Sequence, residues 1–280
     1  MELSQIDPQV IVEDCPGLVI GSHLKTGGQK CVWSCAYRQK AYVLKALMAD
    51  DDTMRRVRRE IEVMMVCDCP YLPKFGPLPL RELVLNGGEK IFYFLEEYIA
   101  GTPLGSVQRP MKPREIVRMS VCVATAIGAM AHKGYIHRDV KPMNIMQKSQ
   151  SEYVLIDAGL ALDSDGEAIT RVGNVVGTRL YVSPDQISLP PKELDERSDL
   201  FLLGVVMYEY ATGHHPFLNT RTPRGDVVQN ILQIECVAPS DFNPKVPKRL
   251  EKLILKLLRK KRDERYASSA ELLADLSKMR

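Results

Sequence analysis

A change of character at Gly101-Thr102-Pro103 divides this chain and constrains its fold more than any other feature. Before it, LVIG (18–21), KCVWSCAY (30–37) and AYVLKAL (41–47) carry β-branched and aromatic residues. They are punctuated by Gly27-Gly28 and Arg38-Gln39-Lys40, which is strand patterning. One helix interrupts the strands. DDTMRRVRREIEVMMVC (51–67) opens on acidic residues, sets Val57, Ile61, Met64 and Met65 near helical spacing, and stops at Cys69-Pro70. ELVL and IFYFLEEYI flank Asn86-Gly87-Gly88 as a hairpin pattern. After the break, 113–133 and 197–212 read as long apolar helices. Segments 248–260 and 268–279 read as amphipathic ones, the last opening on Ser268 and Glu271 as a capping box. The pattern predicts an α+β chain: a small β-rich lobe with one main helix, a connector near 97–104, and a larger, mainly helical lobe.

The bulk properties exclude several classes. A net charge of +3 over 280 residues is too weak for a nucleic-acid or membrane-surface partner. The apolar runs VCVATAIGAMA (121–131) and FLLGVVMYEYA (201–211) fall short of the about 20 residues a bilayer span needs and read as buried helices. The acidic N-terminus lacks the basic and apolar regions of a signal peptide. Seven scattered cysteines form neither a disulfide framework nor zinc spacing, so free thiols in a reducing, cytoplasmic setting are expected.

Charge is concentrated in YIHRDVKPMNIM (135–146), between apolar flanks. An Asp placed to accept a hydroxyl proton (Asp139), a Lys two residues on (Lys141) and an amide three beyond that (Asn144) suit phosphoryl transfer. The Asn oxygen is a hard ligand suited to Mg²⁺. A second carboxylate, Asp157, follows a short strand in YVLIDAGLAL.

These segments resemble the eukaryotic-like (Hanks-type) Ser/Thr protein kinases, in their bacterial branch, over roughly 15–280. HRDVKPMN (137–144) matches the catalytic-loop signature. DAG (157–159) matches D-F-G with Ala158 in place of Phe. VGTRLYVSPDQ (176–186) is similar to the end of an activation segment, with Ser183-Pro184-Asp185 for A-P-E. SDLFLLGVVMYEYATGHHPF, with Asp199 and Gly204, resembles the buried core helix of the helical lobe, and Arg265 stands where the family pairs an Arg with the A-P-E acid.

The resemblance implies a two-lobed protein kinase fold, with a nucleotide-binding N-lobe over 1–97 and a C-lobe over 98–280. It implies transfer of the ATP γ-phosphate to protein Ser/Thr hydroxyls, with Asp139 as base, Lys141 assisting, and Asn144 and Asp157 holding Mg²⁺ (or Mn²⁺). His137 would be structural, packing under Asp157. Lys45, in YVLK, would bind the α- and β-phosphates and pair with Glu60. Glu60 is preferred to Glu62 because residues two apart do not share a helix face. Gly27, Gly28, Val32, Val43, Glu97 and Met146 would complete the nucleotide site. Thr170 is the implied phosphorylation site, with Arg138 as a clamp for its phosphate; Arg56 is either a second clamp or part of a solvated basic face with Arg55, Arg58 and Arg59. Thr178 would contact Asp139 and Lys141. Arg224-Gly225-Asp226 is incidental.

Three departures from the family stand out. Lys25, Gly27 and Lys30 occupy the three glycine positions of the phosphate loop, so a reduced nucleotide affinity is expected. Lys30 there is either a compensating charge or an exposed side chain. Ala158 removes an aromatic plug, which Met64 or Met65 could refill. Glu96 falls at the position screening the back of the adenine pocket, where a carboxylate needs a partner or a raised pKa. The loop and Ala158 define the rival reading, a pseudokinase scaffold or a partner-dependent kinase with weak nucleotide binding. A small-molecule phosphotransferase is opposed by the activation-segment motif, Asp199 and Arg265. Any regulator is expected to be a separate protein.

Overall fold

The computed structural model describes residues 6–27, 30–48, 51–85, 88–158, 162–163, 180–218 and 227–279. Gly28, Thr170, Thr178, the turn residues Asn86 and Gly87, and Arg224-Gly225-Asp226 lie outside them. The chain forms two compact units, one of Met1–Met65 with Pro73–Ala100, the other of Val66–Leu72 with Gly101–Arg280.

In the first unit a short helix, α1 (Gln9–Asp14), precedes strands β1 (Leu18–Gly27), β2 (Lys30–Tyr37) and β3 (Lys40–Met48). Helix α2 (Asp51–Val66) follows, then β4 (Arg81–Val84) and β5 (Lys90–Glu97). The strands make one antiparallel sheet in the order β1-β2-β3-β5-β4. The sequence gives no signal for α1, whose six residues are too few to show a period. It is held by buried Ile11 and by a hydrogen bond from the Tyr93 hydroxyl to the Asp14 carboxylate. Trp33, Leu44, Ile91, Tyr93 and Leu95 form the centre of one sheet core with Ile11 and Cys35. On a second core, Val57, Ile61 and Met64 of α2 pack with Leu47 and Phe94. Met65, grouped with these residues by its spacing, is instead 68% exposed. Eight residues after Val57 it has rotated about 80° off the buried line, whereas Met64 has returned to within about 20°.

In the second unit the strands are short: β6 (Thr102–Pro103), β7 (Tyr135–Ile136), β8 (Ile145–Gln147), β9 (Tyr153–Leu155) and β10 (Leu162–Asp163). They pair as β6-β8-β9 and β7-β10. Helices carry the rest: α3 (Pro113–His132), α4 (Pro184–Ser188), α5 (Glu196–Thr212), α6 (Val227–Gln233), α7 (Pro239–Phe242), α8 (Lys248–Leu257) and α9 (Ser269–Ser277). Helix α5 is buried at every residue from Ser198 to Thr212, which explains its apolarity on all faces. Asp195 caps its start by accepting from Arg197 N–H, and Gly213 ends it at φ +80°, a left-handed conformation that suits glycine.

Two expectations are corrected. With 20 residues and a mean hydropathy of 1.2, α3 is long and apolar enough to cross a membrane by length and composition. It packs against α5, α9, β7 and β9, and the side chains from Ile116 to Met130 supply much of that core. The capping box of α9 is also only half formed. Ser268 Oγ accepts from Glu271 N–H, but the Glu271 carboxylate turns to Ala267 N–H and to Lys256 Nζ, both at 2.7 Å.

Gly204 lies where α5 meets α8, and a Cβ there would sit 2.7 Å from Leu257 Cβ and 3.2 Å from Leu258 Cδ2. Alanine gains about 1 kcal/mol of helix propensity, whereas overpacking a tight core costs about 1–3 kcal/mol. The contact is with a side-chain atom fixed at its own backbone, so the clash wins. Gly204→Ala is expected to lower stability by up to about 2 kcal/mol in a denaturant melt.

Candidate active site

Sheet register places the first set of predicted residues. On β3, Lys45 lies opposite Val32 of β2, and Val43 lies opposite Glu96 of β5. Lys45 is 4% exposed, and its Nζ bonds Glu60 Oε1 of α2 and sits 2.7 Å from Glu96 Oε2. Glu60 is buried and Glu62 is exposed, so Glu60 is the acid that α2 presents. Lys30 Nζ reaches the same carboxylate, 3.1 Å from Glu60 Oε2. The carboxylate at 96 therefore has the partner its burial demands, and burial also pushes its carboxyl up, against the pull of Lys45. Val43 is buried and Val32 half-buried; Gly27 pairs with Lys30 at the end of β1. Glu97 Oε2 accepts from Lys74 N–H at 3.1 Å, and Glu97 N–H donates to Lys74 O at 2.9 Å.

The second set is built on α5. Asp199, in its first turn, accepts from the backbone N–H groups of His137 and Arg138, each at 2.7 Å. Burial raises the Asp199 carboxyl, while His137 and the two N–H groups lower it. Arg138 stands at φ +67°. A left-handed non-glycine residue costs about 1–2 kcal/mol, and two hydrogen bonds to a charged group, at about 1.5–3 kcal/mol each, outweigh that. Gln186 Nε2 donates to Arg138 O at 2.9 Å from the other side. His137 is fully buried; its Nδ1 accepts from Asp139 N–H at 3.3 Å, and its backbone N–H goes to Asp199.

The loop so held brings three polar groups together. Lys141 Nζ lies 2.8 and 2.7 Å from the two oxygens of Asp139. Asn144 Nδ2 donates to Asp139 Oδ2 at 2.7 Å and to Asp139 O at 2.9 Å. The β8–β9 pairing, Ile145 opposite Leu155, returns the chain past this loop. Ile156 N–H donates to Asn144 O at 2.8 Å, and Asp157 is the next residue. Asp157 stands at φ +66°, and Ala158 is buried. Met146 is half-buried on β8.

Asp185 and Arg265 meet as an ion pair, 0% and 8% exposed at the Arg and Asp side chains. The guanidinium also donates to the carbonyls of Arg259, Arg197 and Lys260, so its buried donors are well supplied. Missed in the sequence is a network at the segment before Ser183. Glu209 of α5 accepts from both Arg109 and the Tyr181 hydroxyl, while the ring of His215 bonds the neighbouring Leu180. His215 Nε2–H donates to Leu180 O at 2.9 Å, and its Nδ1 accepts from Phe217 N–H at 3.3 Å, which fixes a neutral tautomer. These partners lie far apart in sequence, so no local pattern announces them.

Residues 19–275 match the family model described as the protein kinase domain. The chain is 34% identical over 250 residues to the serine/threonine-protein kinase PknB of Mycolicibacterium smegmatis, covering 84% of this chain and 37% of that protein. It is 33% identical to a probable serine/threonine-protein kinase of Clostridium perfringens, over 91% of this chain and 37% of that protein. PknB of Mycobacterium leprae is 30% identical over 84% of this chain and 37% of its own length. The chain thus spans a little over a third of the length of these relatives.

Asp199→Asn turns a donor toward one of two N–H groups and is expected to cost about 1–3 kcal/mol; parallel denaturant melts of the two proteins read it. His215 is held from its ordinary 6.5 down to about 4, chiefly by burial. A depressed base keeps its stabilising contribution above pH 6.5 and loses it as pH falls towards 4. Stability of the native chain measured across that window is expected to fall by up to about 3 kcal/mol more than that of His215→Phe.

Proposed function

We propose that this chain, which belongs to the protein kinase domain family, is the catalytic part of a bacterial-type Ser/Thr protein kinase. It transfers the γ-phosphate of ATP to Ser or Thr hydroxyls of protein substrates. The observation that carries this reading is the convergence of Lys141 Nζ and Asn144 Nδ2 on the Asp139 carboxylate.

In the proposed reaction Asp139 accepts the hydroxyl proton as the substrate oxygen bonds to the γ-phosphorus and the bond to the ADP oxygen breaks. Lys141, 23% exposed at its side chain, offers its charge to the phosphoryl group in transit. Lys45, placed by Glu60, binds the α- and β-phosphates. The residues given nucleotide-binding roles in this reading are Gly27, Gly28, Val32, Val43, Glu97 and Met146. Asn144 uses its amide nitrogen as a double donor to Asp139, which leaves its oxygen as the acceptor, and Asp157, the residue after Ile156, supplies a carboxylate in this reading. By its chemistry, an amide oxygen from Asn144 and a carboxylate from Asp157 fit a hard divalent cation, Mg²⁺ or Mn²⁺. When bound, such a cation supplies charge neutralisation at the β- and γ-phosphates. Activation by phosphorylation at Thr170, control by a separate regulatory protein, and a cytoplasmic location complete the proposal. The location is supported by seven free cysteines, of which six are buried.

Phosphate transfer from MgATP, read by mass spectrometry on the chain itself and on a generic basic protein, tests this. Transfer is expected, with phosphate at Thr170. Asp139→Asn is expected to lower it by about 10²–10⁴-fold, and EDTA to abolish it until Mg²⁺ is restored. Nucleotide binding without any transfer would support the scaffold reading instead.

A further inference from the structure

Four charged side chains meet on one face of the first sheet. Val32 opposes Lys45 and Val43 opposes Glu96, so Lys30, Lys45 and Glu96 share a face through the alternation of β2, β3 and β5. Lys30 stands two residues before Val32, and Glu96 opposite the residue two before Lys45, which puts each within diagonal reach of Lys45. Glu60 enters from α2. Lys45 Nζ touches both acids, Glu60 at hydrogen-bonding contact and Glu96 at 2.7 Å. Lys30 Nζ lies 3.1 and 3.4 Å from the oxygens of Glu60. Side-chain exposure is 5% for Lys45, 2% for Glu60, 6% for Glu96 and 23% for Lys30.

A lysine paired with one acid is a neutral couple. A second buried acid on the same lysine leaves a surplus negative charge beside groups proposed to receive phosphate. At about 8 Å and an effective dielectric near 20, one surplus charge weakens binding of an anion on the order of tenfold or more. Lys30 removes that surplus. Both residues depart from the family pattern the chain resembles, and the structure joins the two departures through one lysine and one glutamate. We infer that Lys30 and Glu96 are a compensating pair, Lys30 being a further positioning and phosphate-site residue whose charge offsets Glu96 and keeps Lys45 available to the nucleotide. Burial raises the Glu96 carboxyl; Lys45 opposes that rise and the charge of Lys30 adds to the opposition to a lesser degree. The inference rests on the reading of Lys45 as the phosphate-binding lysine.

The test uses the intact chain, with Lys30→Met, Glu96→Gln, the double variant and Lys30→Arg. Calorimetry measures binding of MgATP and of adenosine, which carries no phosphate. Lys30→Met is expected to weaken MgATP about tenfold and leave adenosine unchanged. In the Glu96→Gln background the same change is expected to cost less than about twofold, and Lys30→Arg to bind as the native chain does. An equal loss in both backgrounds, or equal losses for MgATP and adenosine, overturns the pairing. Melting temperatures of the four chains without nucleotide give a second cycle. Lys30→Met is expected to lower the native melting temperature more than that of Glu96→Gln, and additive shifts overturn the pairing too. Should the native chain bind neither MgATP nor adenosine, the nucleotide reading of Lys45 fails, and the melting cycle alone decides whether Lys30 and Glu96 are coupled.

Discussion

The buried carboxylate of Asp199 is the constraint on which the loop at 137–144 in the second unit depends. It sits in the first turn of a helix with no exposed face, and its two oxygens take the N–H groups of His137 and Arg138. A charged group in such a place is tolerated only because it is fully used. It fixes the loop's path, and the loop's path fixes where Asp139 emerges. The left-handed turn at Arg138 is the cost of that path, and Gln186 steadies it from the far side. The position of Asp139 is thus set by the core and not by the loop's own preferences.

The same logic operates in the first unit with different parts. There the frame is the register of three strands, and the charged residues project from it at positions that alternation dictates. Helix α2 keeps its apolar line on Leu47 and Phe94, and that line carries Glu60 to Lys45. In each unit a buried acid is placed by an apolar element and then tied by donors from elsewhere. Asp185 follows this pattern as well, with Arg265 arriving from beyond α8 and spending its donors on both the acid and nearby carbonyls.

What could be read from sequence is what is local or periodic. The extents of α3 and α5, the choice of Glu60 over Glu62, and the meeting of Asp185 with Arg265 all follow from spacing and from the motifs the chain shares with a known family. What could not be read depends on register or on competition. Lys30 was open between a compensating charge and an exposed one because only strand pairing brings it over Glu60. Met65 was grouped with Met64 because a single residue's rotation separates inside from outside on a helix. Glu271 looked like half of a capping box, but Ala267 N–H and Lys256 outcompete the Ser268 N–H for its carboxylate. The run 121–131 fell short of a bilayer span only because it was counted apart from the rest of the helix, 113–133, that contains it.

The left-handed backbone at Asp157 carries a consequence of its own. Glycine, asparagine and aspartate occupy that conformation readily, and most other residues do so at a cost. Of those three only aspartate brings a negative charge. The fold therefore asks for a small class of residues at 157, and chemistry asks for one member of it. Asn or Gly at that site would keep the backbone unstrained while removing the carboxylate to which the proposed reading gives the metal. What the backbone demands and what the proposed chemistry demands are therefore separable at this position: a single substitution could remove the second and leave the first satisfied.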